Sequence, residues 1–157
     1  MVDGLRSRIE IVRAALAERP DGPRCGAVGP ENVGARCDEE AWTDVLRLAD
    51  GGRYGVIDVW SSGELPAYQD TPLPVGDRSE FLVVGQILYE PLVSSRASKD
   101  VMWLAHAYQT KSGPIFRFGQ PAEFLAHTAL GPGYRDLLDG DAGDDPWWAL
   151  LRETGLA

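Results

Sequence analysis

The side chains best placed to do chemistry in this 157-residue chain are two histidines, two cysteines and a few carboxylates set within apolar runs. His106 falls in the run Val101 to Tyr108 (VMWLAHAY), where alternation groups it with Met102 and Leu104, opposite Ala105 and Ala107. That is the setting of a half-buried histidine satisfied by a neighbour rather than of a general base. His127 lies on a helix, out of phase with Phe124, and is expected at the surface. Cys25, Cys37 and the histidines show no CxxC or HxxxH spacing, so no metal site is expected. Asp58 and Glu90 sit on expected strands. They could meet as paired carboxylates for acid–base work, or lie on a solvent face with Arg117 as an ion-pair partner. With no nucleophile beside them, no catalytic residue and no cofactor is assigned. Aromatic residues crowd the same region, and any left exposed would form an interface hot spot or a small-molecule pocket. The pocket alternative uses Trp60, Tyr89 and Trp103 as walls, with Glu90 and His106 as polar groups.

The elements that position these residues pivot on Leu48 to Trp60 (LADGGRYGVIDVW). Before it, apolar residues recur at helical spacing; after it they run and alternate as in strands. Asp3 can cap a first helix with the stripe Leu5, Ile9, Val12 and Leu16, leaving Arg6, Arg8, Glu10 and Arg13 on a wet face. Residues 20–36 are rich in Gly and Pro and read as an irregular connection. Asp38 is the expected N-cap of a second helix, with Glu39 and Glu40 in its first turn and Trp42, Val45, Leu46 and Ala49 buried. Gly51-Gly52 should end it through left-handed backbone.

Tyr54 to Trp60, Phe81 to Gly85, Ile87 to Val93, Val101 to Tyr108 and Ile115 to Phe118 are the expected strands. Pro91 suits an edge or a bulge. Residues 70–79 hold Pro72, Pro74 and Gly76 and should be irregular. Pro121 opens a helix bearing Phe124, Leu125 and Leu130, and Asp145-Pro146 caps a last one bearing Trp147, Trp148, Leu150 and Leu151. The order predicts one α+β domain over 1–157: two N-terminal helices, an antiparallel or mixed sheet of about five strands, and closing C-terminal helices.

A net charge of −9 argues against nucleic-acid binding, which needs clustered Lys and Arg, and suits a basic protein partner. No apolar run approaches the roughly 20 residues of a membrane helix. The amphipathic N-terminus lacks a signal layout, and two cysteines in a chain of this size read as free thiols. A cytoplasmic protein is the expectation.

Four stretches resemble the SUKH superfamily. Glu31-Asn32-Val33-Gly34 with Trp42 to Leu48 is similar to that family's lead into its second helix, and LADGGRYG to its helix-to-strand junction. FLVVG resembles a strand ending in a small residue, and SGPIFRFGQPAEFL the last hairpin strand and closing helix. The resemblance spans about Leu5 to Leu138. Arg36-Cys37-Asp38 replaces the usual Leu-Pro pair, loop 70–79 has no counterpart, and the acidic loop and terminal helix of 139–157 lie outside the match. Many such proteins are bacterial immunity proteins that neutralise polymorphic toxins, often nucleases, by binding them. The resemblance implies a cofactor-free antitoxin. Two acidic groups would then attract a basic toxin domain: Asp38, Glu39, Glu40 and Asp44, and Asp139, Asp141, Asp144 and Asp145. A small-molecule-binding protein or small enzyme from a biosynthetic cluster is the other class.

Overall fold

The computed structural model describes residues 2–19, 25–105 and 116–157. Helix α1 (Val2–Glu18) lays Leu5, Ile9 and Val12 on the core. Strand β1 (Gly26–Val28) follows, then α2 (Glu40–Leu48), β2 (Gly52–Tyr54) and β3 (Ile57–Val59). A 3-10 turn (Leu65–Tyr68) precedes β4 (Phe81–Ile87), β5 (Glu90–Ser95), β6 (Val101–Trp103) and β7 (Phe116–Gly119). Helix α3 (Pro121–Glu123) widens at once into a π-helical segment (Phe124–Ala129). A 3-10 segment (Pro132–Leu137) leads to α4 (Pro146–Glu153). Among the described residues, no helix is long and apolar enough to cross a membrane.

The sheet is an antiparallel meander in chain order, β1 to β7. Seven strands replace the expected five for two local reasons. Strand β1 comes out of the Gly- and Pro-rich connection, where Gly26 to Val28 pair with Tyr54 to Gly52. The stretch 54–60 is not one strand, because Gly55-Val56 folds β3 back onto β2, with Tyr54 opposite Ile57. A side chain at Gly55 would overlap the Tyr134 hydroxyl, so only glycine fits that turn.

The long apolar runs have a simple cause: the middle strands are buried on both faces. Leu82, Val84, Ile87, Leu92, Val101 and Trp103 pack towards the helices. Val83, Val93, Met102 and Leu104 form a second cluster beneath Leu73, Val75 and Phe81. The loop 70–79 therefore covers the far face of the sheet. Pro91 lies in β5, which is flanked by β4 and β6, so the edge-strand expectation fails; it stands at the strand's start, before the β6 ladder begins at Leu92.

Several further expectations need correction. Asp3 lies within the first turn of α1 rather than capping it. Helix α2 starts one residue later than expected, with Glu39 rather than Asp38 as N-cap and no side-chain capping bond. Asp38 instead binds Arg96 (2.8 Å). Arg8 and Arg13 are half-buried rather than on a wet face. Arg8 donates to the carbonyls of Leu130 and Leu156, and Arg13 to those of Gly29 and Leu48. The Leu48 carbonyl ends α2, the Leu130 carbonyl ends the π-helical segment and Leu156 follows α4, positions where a cation is favoured, while Gly29 follows β1. The terminal helix belongs to the same core as the rest: Trp147 is fully buried, donates its indole N–H to the Ala129 carbonyl (2.8 Å), and meets Tyr54 edge-on at 5.8 Å. Strand β6 ends at Trp103, and the expected strand end at 106–108 and turn at 111–114 lie outside the described residues.

At the pivot the sequence reading holds. Helix α2 stops at Leu48, and Gly51 (φ 79°) and Gly52 (φ 146°) turn the chain into β2. Asp50 between them is a hub. Its carboxylate accepts from Asn32 Nδ2 (2.7 Å), Ser62 N (2.6 Å) and Ser62 Oγ (2.9 Å), tying both flanking loops to the junction. Burial pushes this carboxyl's pKa up, but the bonds from Ser62 and Asn32 outweigh it and hold the group below its ordinary 3.8.

Candidate functional site

The run Ile87 to Val93 reads as a strand but is broken by a two-residue turn. Ile87 closes β4, Glu90 opens β5 opposite it, and Leu88 and Tyr89 bridge them with φ of 49° and 68°. Both are left-handed, as in the tight hairpin turns that favour Asn-Gly. Leucine and tyrosine are poor residues for that conformation, and each costs of the order of 1–2 kcal/mol there. They are also exposed, Leu88 at 45% and Tyr89 at 88%. Tyr89, 88% exposed, gains little packing in return for that strain, which makes the tip a candidate site.

This tip is joined to the acidic C-terminal loop. The Leu88 N–H donates to the Val56 carbonyl (3.2 Å), and the Val56 N–H donates to the Tyr134 hydroxyl (3.0 Å). The Tyr134 hydroxyl in turn meets Asp145 Oδ2 (3.2 Å). Burial raises the Tyr134 pKa, and the Asp145 charge adds to the rise, so it stays a neutral phenol and the donor in that last bond. Asp145 also caps α4 through Trp148 N (2.8 Å), which makes it a structural carboxylate. Its neighbours Asp139, Asp141 and Asp144 are exposed, and among the described residues none pairs with a basic side chain. Arg135 holds the loop by the carbonyls of Leu138 and Gly140, not by its carboxylates.

The other acidic group behaves differently. Asp38, Glu39, Glu40 and Asp44 do converge, lining a groove of about 470 Å³ with Lys99. Glu39 is buried, however, and is neutralised by Lys99 (2.9 Å) and Arg96 (3.4 Å). Asp38 shares Arg96, and Asp44 lies 3.8 Å from Arg47. Only Glu40 of the four is an exposed carboxylate with no ion pair among the described residues. Lys99 follows the far end of β5 from Tyr89, so this acidic groove stands some ~20 Å from the tip along a six-residue strand.

The aromatic pocket does not assemble. Trp60 stacks on Tyr68 at 4.0 Å, while Trp103 is buried against Phe116 at 5.0 Å, three strands and roughly 14 Å across the ladder. Tyr89 borders a groove of about 250 Å³ with Arg53, Gly55, Val56, Asp58 and Leu88, which contains neither tryptophan nor Glu90. His106 lies outside the described residues. Asp58 and Glu90 do not pair either. Asp58 faces Gln86 (2.8 Å) and Arg53 (3.9 Å), and Glu90 stands in the adjacent row, opposite Ile87. Arg117 pairs with Asp100, at 3.9 Å. Among the described residues, no group of three or more His, Cys, Asp or Glu side chains could hold a metal ion. No protein-family model, no curated protein and no solved structure matches the chain.

Proposed function

We propose that this chain is a SUKH-like, non-catalytic protein that binds and blocks a basic toxin domain, as an immunity protein does, within the cytoplasm. The single observation that carries the reading is the Leu88-Tyr89 tip: a strained turn presenting an almost fully exposed tyrosine, joined through Val56 and Tyr134 to an acidic loop whose Asp139, Asp141 and Asp144 have no basic partner among the described residues. Tyrosine is among the residues that dominate interface energetics, because it buries a large rigid surface and keeps a polar end. Carboxylates of that loop draw in a positively charged partner and orient it before contact. The net charge of −9 adds a long-range field of the same sign. Nothing in this scheme calls for a cofactor or a reacting group.

The test is binding to the products of adjacent genes, above all any basic C-terminal domain of a large secreted protein. Tyr89→Ala should weaken that complex by about 30-fold or more, the loss expected of a hot-spot residue. Retention of full affinity by Tyr89→Ala would remove the tip from the interface. Binding by none of those products would remove the immunity reading itself.

A further inference from the structure

A second concave surface, unrelated to the tip, lies where the segment before α2, the 3-10 turn at Leu65–Tyr68 and β4 come together. It is a cavity of about 230 Å³. Its apolar part is Leu65 and Leu82, each 3% exposed, with Pro66 at the rim. Its polar part includes three arginines, Arg36, Arg78 and Arg96; Asp38 and Glu39 pair with Arg96 and Asp70 with Arg78, so Arg36 is the one of the three with no ion pair among the described residues.

The arginines are not consumed by their protein contacts. Arg96 is held in place by Asp38 (2.8 Å), by Glu39 (3.4 Å) and by the Arg78 carbonyl (3.0 Å). These bonds use Nε and Nη1 and leave Nη2 with no acceptor among the described residues. Arg78 spends only Nη1, on Asp70 (2.9 Å). Arg36 makes no hydrogen bond or ion pair with any described residue. The site thus combines one guanidinium fixed in advance, two with donors free among the described residues, and an apolar floor of Leu65 and Leu82. Planar guanidinium groups match the two oxygens of a carboxylate, and a preset donor loses little freedom on binding. The cavity is smaller than those that hold drug-sized ligands, which limits the guest to a short body.

We propose that this cavity binds a small organic acid, with its carboxylate on Arg36, Arg78 and Arg96 and a short apolar body on Leu65, Pro66 and Leu82. The proposal is independent of the partner reading, since it uses neither the tip nor the acidic C-terminal loop. Calorimetric titration of the intact chain with benzoate and hexanoate tests it, with acetate, hexanol and inorganic phosphate as comparisons. Benzoate or hexanoate should bind saturably, and the three comparisons about tenfold or more weaker, because each lacks the anion's geometry or the apolar body. Arg36→Gln, whose side chain holds nothing else, should leave the melting temperature unchanged and weaken benzoate by about tenfold; Arg78→Gln should act alike. No saturable binding of either acid up to about 10 mM would overturn the proposal. So would parental affinity in both variants, and phosphate binding as tightly as benzoate would overturn the ligand class.

Discussion

Replacing the tip by the residues its backbone asks for, Leu88→Asn with Tyr89→Gly, should stabilise the protein while destroying its interface. Leu88 and Tyr89 sit at φ 49° and 68°. Two side-chain-bearing residues in left-handed backbone cost about 2–4 kcal/mol together, most of which Asn-Gly avoids. Two losses offset the gain. Glycine at 89 frees the unfolded chain by about 0.5–1 kcal/mol, and Leu88, 45% exposed, gives up about half of a leucine's burial, about 1 kcal/mol. The net expectation is a gain of about 1 kcal/mol, read in a thermal melt as a rise of about 2–4 °C for a chain of this size. Affinity for the partner should fall by about 30-fold or more in the same variant. Opposite signs are the diagnostic result, since a residue kept only for packing would lose stability and binding together. A lower melting temperature would show that the tip is held by contacts rather than strained, and unchanged affinity would show that Tyr89 is not an anchor.

Asp139→Asn with Asp141→Asn and Asp144→Asn should slow partner association and flatten its dependence on salt, measured by stopped flow, with no change in the melt. Glu39→Gln should lower stability by about 1–3 kcal/mol in denaturant titration, because Lys99 and Arg96 lose their buried counter-charge; Glu40→Gln should stay within about 0.5 kcal/mol of the parent. Gly51→Ala should cost at least about 1 kcal/mol, since φ is 79° and a Cβ would stand 2.8 Å from the Ser61 nitrogen. Acid should loosen the pivot. The folded Asp50 carboxyl lies below its unfolded 3.8, so its contribution is present above about pH 4 and fades as pH falls through the folded pKa. Melts of Asp50→Asn should therefore lie below the parent at neutral pH and converge with it in acid; a constant gap would mean that the carboxylate's charge is not what holds Asn32 and Ser62.

What the sequence showed plainly was governed by local rules. The stripe of α1, the burial of Trp42, Val45 and Leu46, the glycine exit from α2, Pro121 at a helix start and the Asp145 cap all depend on residues within one turn of each other. What stayed hidden depends on distant partners. Strand β1 exists because Ala27 finds Arg53, and nothing within residues 20–36 announces that pairing. Arg8 and Arg13 look like surface charges until Leu130, Leu156, Gly29 and Leu48 bring carbonyls to them. The same holds for the acidic groups. Four carboxylates within residues 38–44 look alike in sequence, yet Glu39 alone is buried, paired with Lys99 sixty positions away.

The tip was misread for a more instructive reason: its residues break the rule by which such turns are recognised. A two-residue hairpin is normally announced by Asn, Asp or Gly, and Leu88-Tyr89 offers none. The turn is nonetheless forced, because the strands on either side cannot slide to relieve it. Gly85 faces Val59 so closely that a Cβ there would collide with the Asp58 carbonyl, which fixes β4 against β3. Leu92 opposite Trp103 fixes β5 against β6, with Leu92 packed towards the helices and Val93 beneath the loop 70–79. Sliding β5 by one residue would exchange those faces and place Val93 where Leu92 fits. The sheet therefore dictates that the chain reverse at 88 and 89, but it does not dictate which residues stand there. Asn-Gly would satisfy the fold at lower cost, and a tyrosine held there at a loss, 88% exposed, is what the proposed interface would account for.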